Sequence, residues 1–239
     1  MRDVLILLLW LLSGPVGAED TRLTPAEVTE VGALLETVLT GTGDFALAEA
    51  KARDLYTYVL RDFGAQSPQA LQIEWLIVLA VTAQGRTDEG AGLGQRLMVK
   101  AQRLLTADDP LGYKCAAACA VALRTAGKSS EALAFLSDAL SQAERWLPKG
   151  ALEGDELRLL QVQSAVGEGD LDQAQAGFRL LDARLSARTD PPALALRSMA
   201  MIGWSQLVAE HGDPAAALPL YARTLMPERL PPSTRSSAR

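Results

Sequence analysis

Apolar residues recur along this chain at spacings of three and four, and glycine interrupts them at regular intervals. Glycines stand at 43, 85, 127, 169 and 212, separated by 42, 42, 42 and 43 residues, each just before a segment with helical spacing. Columns at fixed offsets confirm the register. Five residues after each glycine come Ala48, Gly90, Ala132, Ala174 and Ala217, all small, as required where two helix backbones approach closely. Four before come Leu39, Val81, Leu123, Ala165 and Val208. Eight before come Leu35, Ile77, Cys119, Gln161 and Trp204, with Gln161 the polar exception. Twelve after come Leu55, Leu97, Ala139, Leu181 and Thr224. Each unit therefore reads as two helices with the glycine at the turn between them.

Helix-start signals agree. First helices open at Thr24-Pro25 with Glu27, Ser67-Pro68, Asp109-Pro110 and Asp190-Pro191-Pro192, where proline costs nothing because a first-turn N–H has no intrahelical partner. Second helices are expected to begin at Asp44, Asp88, Ser129 or Ser130, Asp170 and Asp213, whose oxygens can cap free N–H groups. No Asn-Gly hairpin signal occurs, so strands are not expected. A helix pair cannot bury its apolar face alone, and stacking solves this. The expected fold is all-α, an α-α superhelix or solenoid of about five helix hairpins within residues 19–226, at about 24–66, 67–108, 109–150, 151–189 and 190–226.

Gly127-Lys-Ser-Ser-Glu131-Ala132-Leu-Ala-Phe135-Leu136, the run Gly169 to Phe178 with Ala174, and the run Gly212 to Tyr221 with Ala217 resemble the tetratricopeptide repeat (TPR). The period of 42 exceeds that family's usual length and is similar to the long repeats of kinesin light chains, where Asp/His-Pro opens the first helix as Asp109-Pro110 does here. The resemblance covers Thr24 to Met226 and implies a concave groove, lined by first helices, that takes a protein or peptide segment. One departure matters. The light chains hold a peptide backbone with asparagines nine residues before the turn glycine, and this chain has Leu34, Leu76, Ala118, Leu160 and Gly203 there. That form of cargo binding does not carry over.

The ends of the chain read differently. Arg2 precedes nine apolar residues, Val4 to Leu12, and then Ser13-Gly14-Pro15 and the small-residue pattern Val16-Gly17-Ala18. This predicts a signal peptide over residues 1–18, cleaved after Ala18, and hence an exported chain, periplasmic or secreted. Nine residues fall far short of the roughly 20 that span a bilayer, so no stable membrane insertion is expected after cleavage. An uncleaved anchor with Trp10 at the interface is the competing reading. The tail, 227–239, rich in Pro, Ser and Arg, is expected to be disordered.

Charge and chemistry narrow the function. A net charge of -6 offers no basic stripe for displacing counterions from phosphates, which argues against nucleic acid. Ala122-Leu-Arg-Thr-Ala-Gly127-Lys128-Ser129 comes within one residue of a phosphate-binding loop, but it sits on a repeat turn and lacks Gly at 122 and a preceding strand. Gly90, Gly92 and Gly94 lack dinucleotide-loop spacing and are expected to permit close packing. Cys115 and Cys119 share one helix face with no other ligand nearby, so they read as buried thiols rather than a metal site. His211, the only histidine, falls at a helix end, where a cation suits the dipole. Neither a catalytic site, a metal nor a cofactor is expected.

What remains is recognition. The groove columns transferred by offset give Trp75, Leu159 and Ile202 at ten before the glycine, Leu79, Gln163 and Gln206 at six before, Arg124 at three before and Lys114 at thirteen before. Trp75 offers a polar indole N–H, and Lys114 with Arg124 could clamp a carboxylate. The expected function is a non-enzymatic, exported scaffold or adaptor for a protein segment. The alternative is an accessory repeat region of an exported caspase-like peptidase or other enzyme system, with no catalytic domain of its own.

Overall fold

A computed structural model describes residues 22–41, 43–106, 109–147, 151–212 and 214–225. The predicted signal peptide, the expected cap Asp213 and the tail lie outside the described residues. Among those described, ten α-helices and no strands occur: α1 Pro25–Gly41, α2 Phe45–Phe63, α3 Pro68–Ala83, α4 Thr87–Leu104, α5 Pro110–Thr125, α6 Ser129–Trp146, α7 Leu152–Glu168, α8 Leu171–Leu185, α9 Pro191–His211 and α10 Pro214–Leu225. They form five consecutive pairs, the fold class that the period predicts.

The caps explain where helices start. Thr24 and Glu27 exchange bonds as a capping box, the Thr24 N–H donating to Glu27 Oε2 at 2.7 Å and the Glu27 N–H to Thr24 Oγ1 at 3.3 Å. Ser67, Asp44, Asp170 and Asp190 accept from backbone N–H groups three residues on, and Asp109 accepts from Leu111. Asp88 is a correction: α4 opens at Thr87 after Arg86 without a side-chain cap, and Asp88 and Glu89 instead sit in the first turn, where the helix dipole favours them.

The turn glycine has a physical cause. Gly85, Gly127 and Gly169 have φ of +78°, +72° and +79°. At each, the glycine N–H donates to the carbonyl three residues back, and the following N–H reaches the carbonyl four residues before the glycine, as from Lys128 to Leu123 at 2.9 Å. This double bond pattern closes a helix and needs a left-handed residue, which glycine supplies without penalty. In these three turns the apolar residue four before the glycine, Val81, Leu123 or Ala165, is the one whose carbonyl receives the closing bond. Gly212 departs, with φ of -141°, and the fifth turn leads to Pro214 instead.

The chain divides into two compact units at Phe135 and Leu136, within α6. In the first, α3 packs on α1 and α5 as well as on α2 and α4. Leu35, Leu55, Val59, Leu71, Leu76, Leu97 and Cys115 join one core. Ala91, Cys119, Leu123 and Ala132 form a satellite cluster that ties the start of α6 to α4 and α5. In the second unit, α7, α8, α9 and α10 bury Leu157, Ala165, Phe178, Leu181, Met201 and Ala217. Phe178 and Trp204 stack with ring centres 6.5 Å apart. Asp155, 2% exposed, receives Arg184 Nε at 2.5 Å. The polar exception Gln161 is accounted for, because its amide donates to Ser137 Oγ at 3.1 Å. The five small residues, Ala48, Gly90, Ala132, Ala174 and Ala217, are all buried.

Candidate functional site

In the first unit the first helices of three successive pairs lie side by side, α1 against α3 and α3 against α5. Between them is a cleft of about 350 Å³. Its walls are Thr29, Gly32, Ala33 and Glu36 of α1, the stretch Asp109 to Lys114 at the start of α5, and a floor from α3 that includes Gln69, Gln72, Trp75 and Leu76. Residues three and four apart on a helix share a face, which places Gln72 and Trp75, or Ala33 and Glu36, together.

Trp75 is only 5% exposed, packed into the core of the first unit with Lys114 over one face of its ring. The Lys114 ammonium lies 4.9 Å from the centre of the indole ring and donates to Glu36 Oε2 at 3.0 Å. One lysine thereby spans from the third pair to the first, across the second. Trp75 Nε1 and Arg124 Nε are the buried side-chain polar atoms that lack a hydrogen-bond partner among the described residues. Burial holds the Arg124 pKa below its ordinary value, and a guanidinium stays cationic regardless.

The eight groove candidates distribute unevenly. Trp75 and Lys114 meet in the cleft. Leu79 is half-buried against the same core, and Arg124 is half-buried in the last turn of α5. In the second unit, Leu159 is 4% exposed and packs inside. Gln163 is half-buried, while Ile202 and Gln206 are exposed on α9 near Met199.

Glu36 is the cleft residue that the columns passed over. Seven residues before each turn glycine stand Glu36, Val78, Ala120, Val162 and Ser205. The last four are buried, so one carboxylate in a column of small or apolar residues was the signal available.

The other motifs of the sequence occupy structural places among the described residues. The turn at Gly127 is not a phosphate cradle: the amides of Ala126, Gly127 and Lys128 donate to Ala122, Arg124 and Leu123. Cys115 and Cys119 are buried free thiols, each pushed up to about 12 by burial, and hence protonated and unreactive at neutral pH. His211 sits exposed in the last turn of α9, 4.0 Å from Glu210. Among the described residues no group of His, Cys, Asp and Glu could hold a metal ion. No described helix is long and apolar enough to cross a membrane. Gly94 does permit close approach, a β-carbon there lying 3.1 Å from the Cys119 Cα, whereas Gly92 meets only the tip of Arg96 at 3.6 Å.

No family model and no curated protein matches the chain. Solved structures do. The chain is similar to the nearly identical TPR-like repeats of a putative kinesin light chain of Podosopora anserina, at 13% identity over 87% of this chain and 99% of that one, with a TM-score of 0.67. A single-substitution form of those repeats covers 84% of this chain and 94% of its own, again at 0.67. BtubC (BKLC) of P. vanneervenii is 19% identical over 90% of this chain and 88% of that one, with a TM-score of 0.64. At such identities the likeness shows the fold alone, and that fold is a TPR-like one of consecutive helix pairs, in keeping with the glycine-timed pattern of the sequence.

Proposed function

We propose that this chain is an exported, non-enzymatic scaffold that takes a protein or peptide segment in the cleft between α1, α3 and α5. The observation that carries this reading is the cleft itself: it lies on neighbouring first helices, and its walls combine an aromatic ring, two glutamines and an ion pair. Such a surface suits an extended backbone, since amide side chains meet its N–H and C=O groups and an aromatic residue anchors a side chain. Arg124, a guanidinium whose Nε has no partner, is the position for an acceptor or carboxylate further along α5. Export rests on the N-terminal pattern, and the mature chain then begins at Glu19.

Selection of segments from a displayed peptide library on the full chain tests the cleft. Selected segments bind the wild type, and Ala33→Arg weakens them at least about tenfold, equivalent to about 1.4 kcal/mol. Ala33 is exposed on the cleft wall, so arginine fills the cleft without entering the core. Segments indifferent to Ala33→Arg, or an empty selection, overturn the cleft assignment. N-terminal sequencing of the exported fraction tests the leader, with Glu19 as the expected first residue.

A further inference from the structure

We infer that Trp75 and Glu36 form a pocket for an alkylammonium group, that Lys114 occupies this pocket from within the chain, and that a lysine of a bound segment takes it over. This rests on the cleft reading above and specifies its ligand chemistry.

The geometry is that of ammonium recognition. A cation within about 6 Å of an indole centroid is attracted by the ring's negative face, and a carboxylate adds a charge-assisted hydrogen bond. Lys114 satisfies both, at 4.9 Å from the ring and 3.0 Å from Glu36. Its side chain is 34% exposed and that of Glu36 is 41% exposed, so both reach solvent and the ammonium can leave for water at small cost. The face of the Trp75 ring under the Lys114 ammonium, by contrast, is closed to a second cation while Lys114 holds it.

Charge decides what enters. With Lys114 swung out, the charged groups left on the cleft wall are the carboxylates of Glu36 and Asp109. A second ammonium then regains the ring and the Glu36 bond. A carboxylate taking Lys114 from Glu36 gains one contact and faces both of those acids. The exchange also releases the Lys114–Glu36 bond that joins α5 to α1, so occupancy is coupled to the link between the first and third pairs.

The test uses the full chain labelled with ¹⁵N-tryptophan, in which Trp75→Phe identifies the Trp75 indole N–H signal. The probes are acetyl-Ala-Ala-Lys-Ala-Ala-amide and the same peptide acetylated on the lysine side chain. The amine peptide shifts the Trp75 signal saturably in Lys114→Ala, and in the wild type about tenfold more weakly toward the same end point. The acetylated peptide shifts neither, and Glu36→Gln in the Lys114→Ala background abolishes the effect. n-Butylammonium alone binds Lys114→Ala more weakly than the peptide, as expected if the ligand is a lysine within a segment. Equal affinity of wild type and Lys114→Ala, or a response to the acetylated peptide, overturns the proposal. Segments blocked by Ala33→Arg but indifferent to Lys114→Ala sink the ammonium pocket and spare the cleft. An ammonium response without selectable segments does the reverse.

Discussion

Two glycines on α4, separated by one residue, should respond to alanine in opposite directions. Each replacement gains about 0.8–1 kcal/mol of helix propensity. At Gly92 nothing opposes that gain, because the new methyl would meet only the flexible end of Arg96 at 3.6 Å. At Gly90 it would lie 2.4 Å from Thr82 Oγ1, closer than real contacts allow. Thr82 cannot give way freely: it is β-branched, 5% exposed, and its hydroxyl donates to the Val78 carbonyl at 2.7 Å. Overpacking costs about 1–3 kcal/mol, and a contact this close to a buried, hydrogen-bonded side chain belongs to the upper part of that range, about 2–3 kcal/mol, so Gly90→Ala should be destabilised by about 1–2 kcal/mol net. The two variants then differ by about 2–3 kcal/mol, near 1 M in urea midpoint for a typical slope. Urea unfolding followed by far-UV circular dichroism reads this directly. Gly90→Ala with Thr82→Ala should recover stability relative to Gly90→Ala alone. A Gly90→Ala chain as stable as the wild type, or no recovery in the double variant, would refute the close-approach reasoning.

Three further outcomes follow from the same packing. Arg184→Met leaves the buried Asp155 carboxylate with only Arg158, at 3.6 Å, and should cost about 3 kcal/mol by urea unfolding, more than Glu89→Gln, whose carboxylate pairs with Arg53 and Arg86 at the surface. Asp62 is held at about 2 by the Arg61 guanidinium and the Leu23 N–H, against the opposing effect of burial. Its folded value lies below its unfolded one, so its contribution is complete above about pH 4 and is lost as pH falls towards 2. Protection of the Leu23 amide, the factor by which its exchange is slower than that of an unstructured peptide at the same pH, should fall across that window in the wild type and stay unchanged across it in Asp62→Asn. Cys115 and Cys119 should resist a thiol reagent in the native chain at mildly alkaline pH and react fully in denaturant; rapid native labelling would contradict their burial.

The period, the pairing and most helix starts were legible because they rest on local chemistry. A left-handed turn selects glycine, an orphan N–H selects Ser, Thr or Asp, and two close backbones select Ala or Gly. Gly212 shows the limit, since the spacing holds while the turn does not use the left-handed conformation. The cleft was less legible for a different reason. Offset places a residue on a helix face, but exposure depends on what the neighbouring helices put over it. Leu159 and Ile202 share a column, yet one is 4% exposed and the other 41%. Offset assigns Trp75 to a first helix, while the lysine over its ring belongs to the next pair and no offset announces it. Glu36, the partner of that lysine, stood out only as a charge in a column otherwise small or apolar.

The central claim is that the first helices of the first unit form the binding face. Hydrogen–deuterium exchange of the full chain, with and without a selected segment, tests it most directly. Slowed exchange is expected in residues 25–41, 68–83 and 110–125, the helices α1, α3 and α5. Slowing confined to residues 45–63 and 87–104, the second helices α2 and α4, would contradict it.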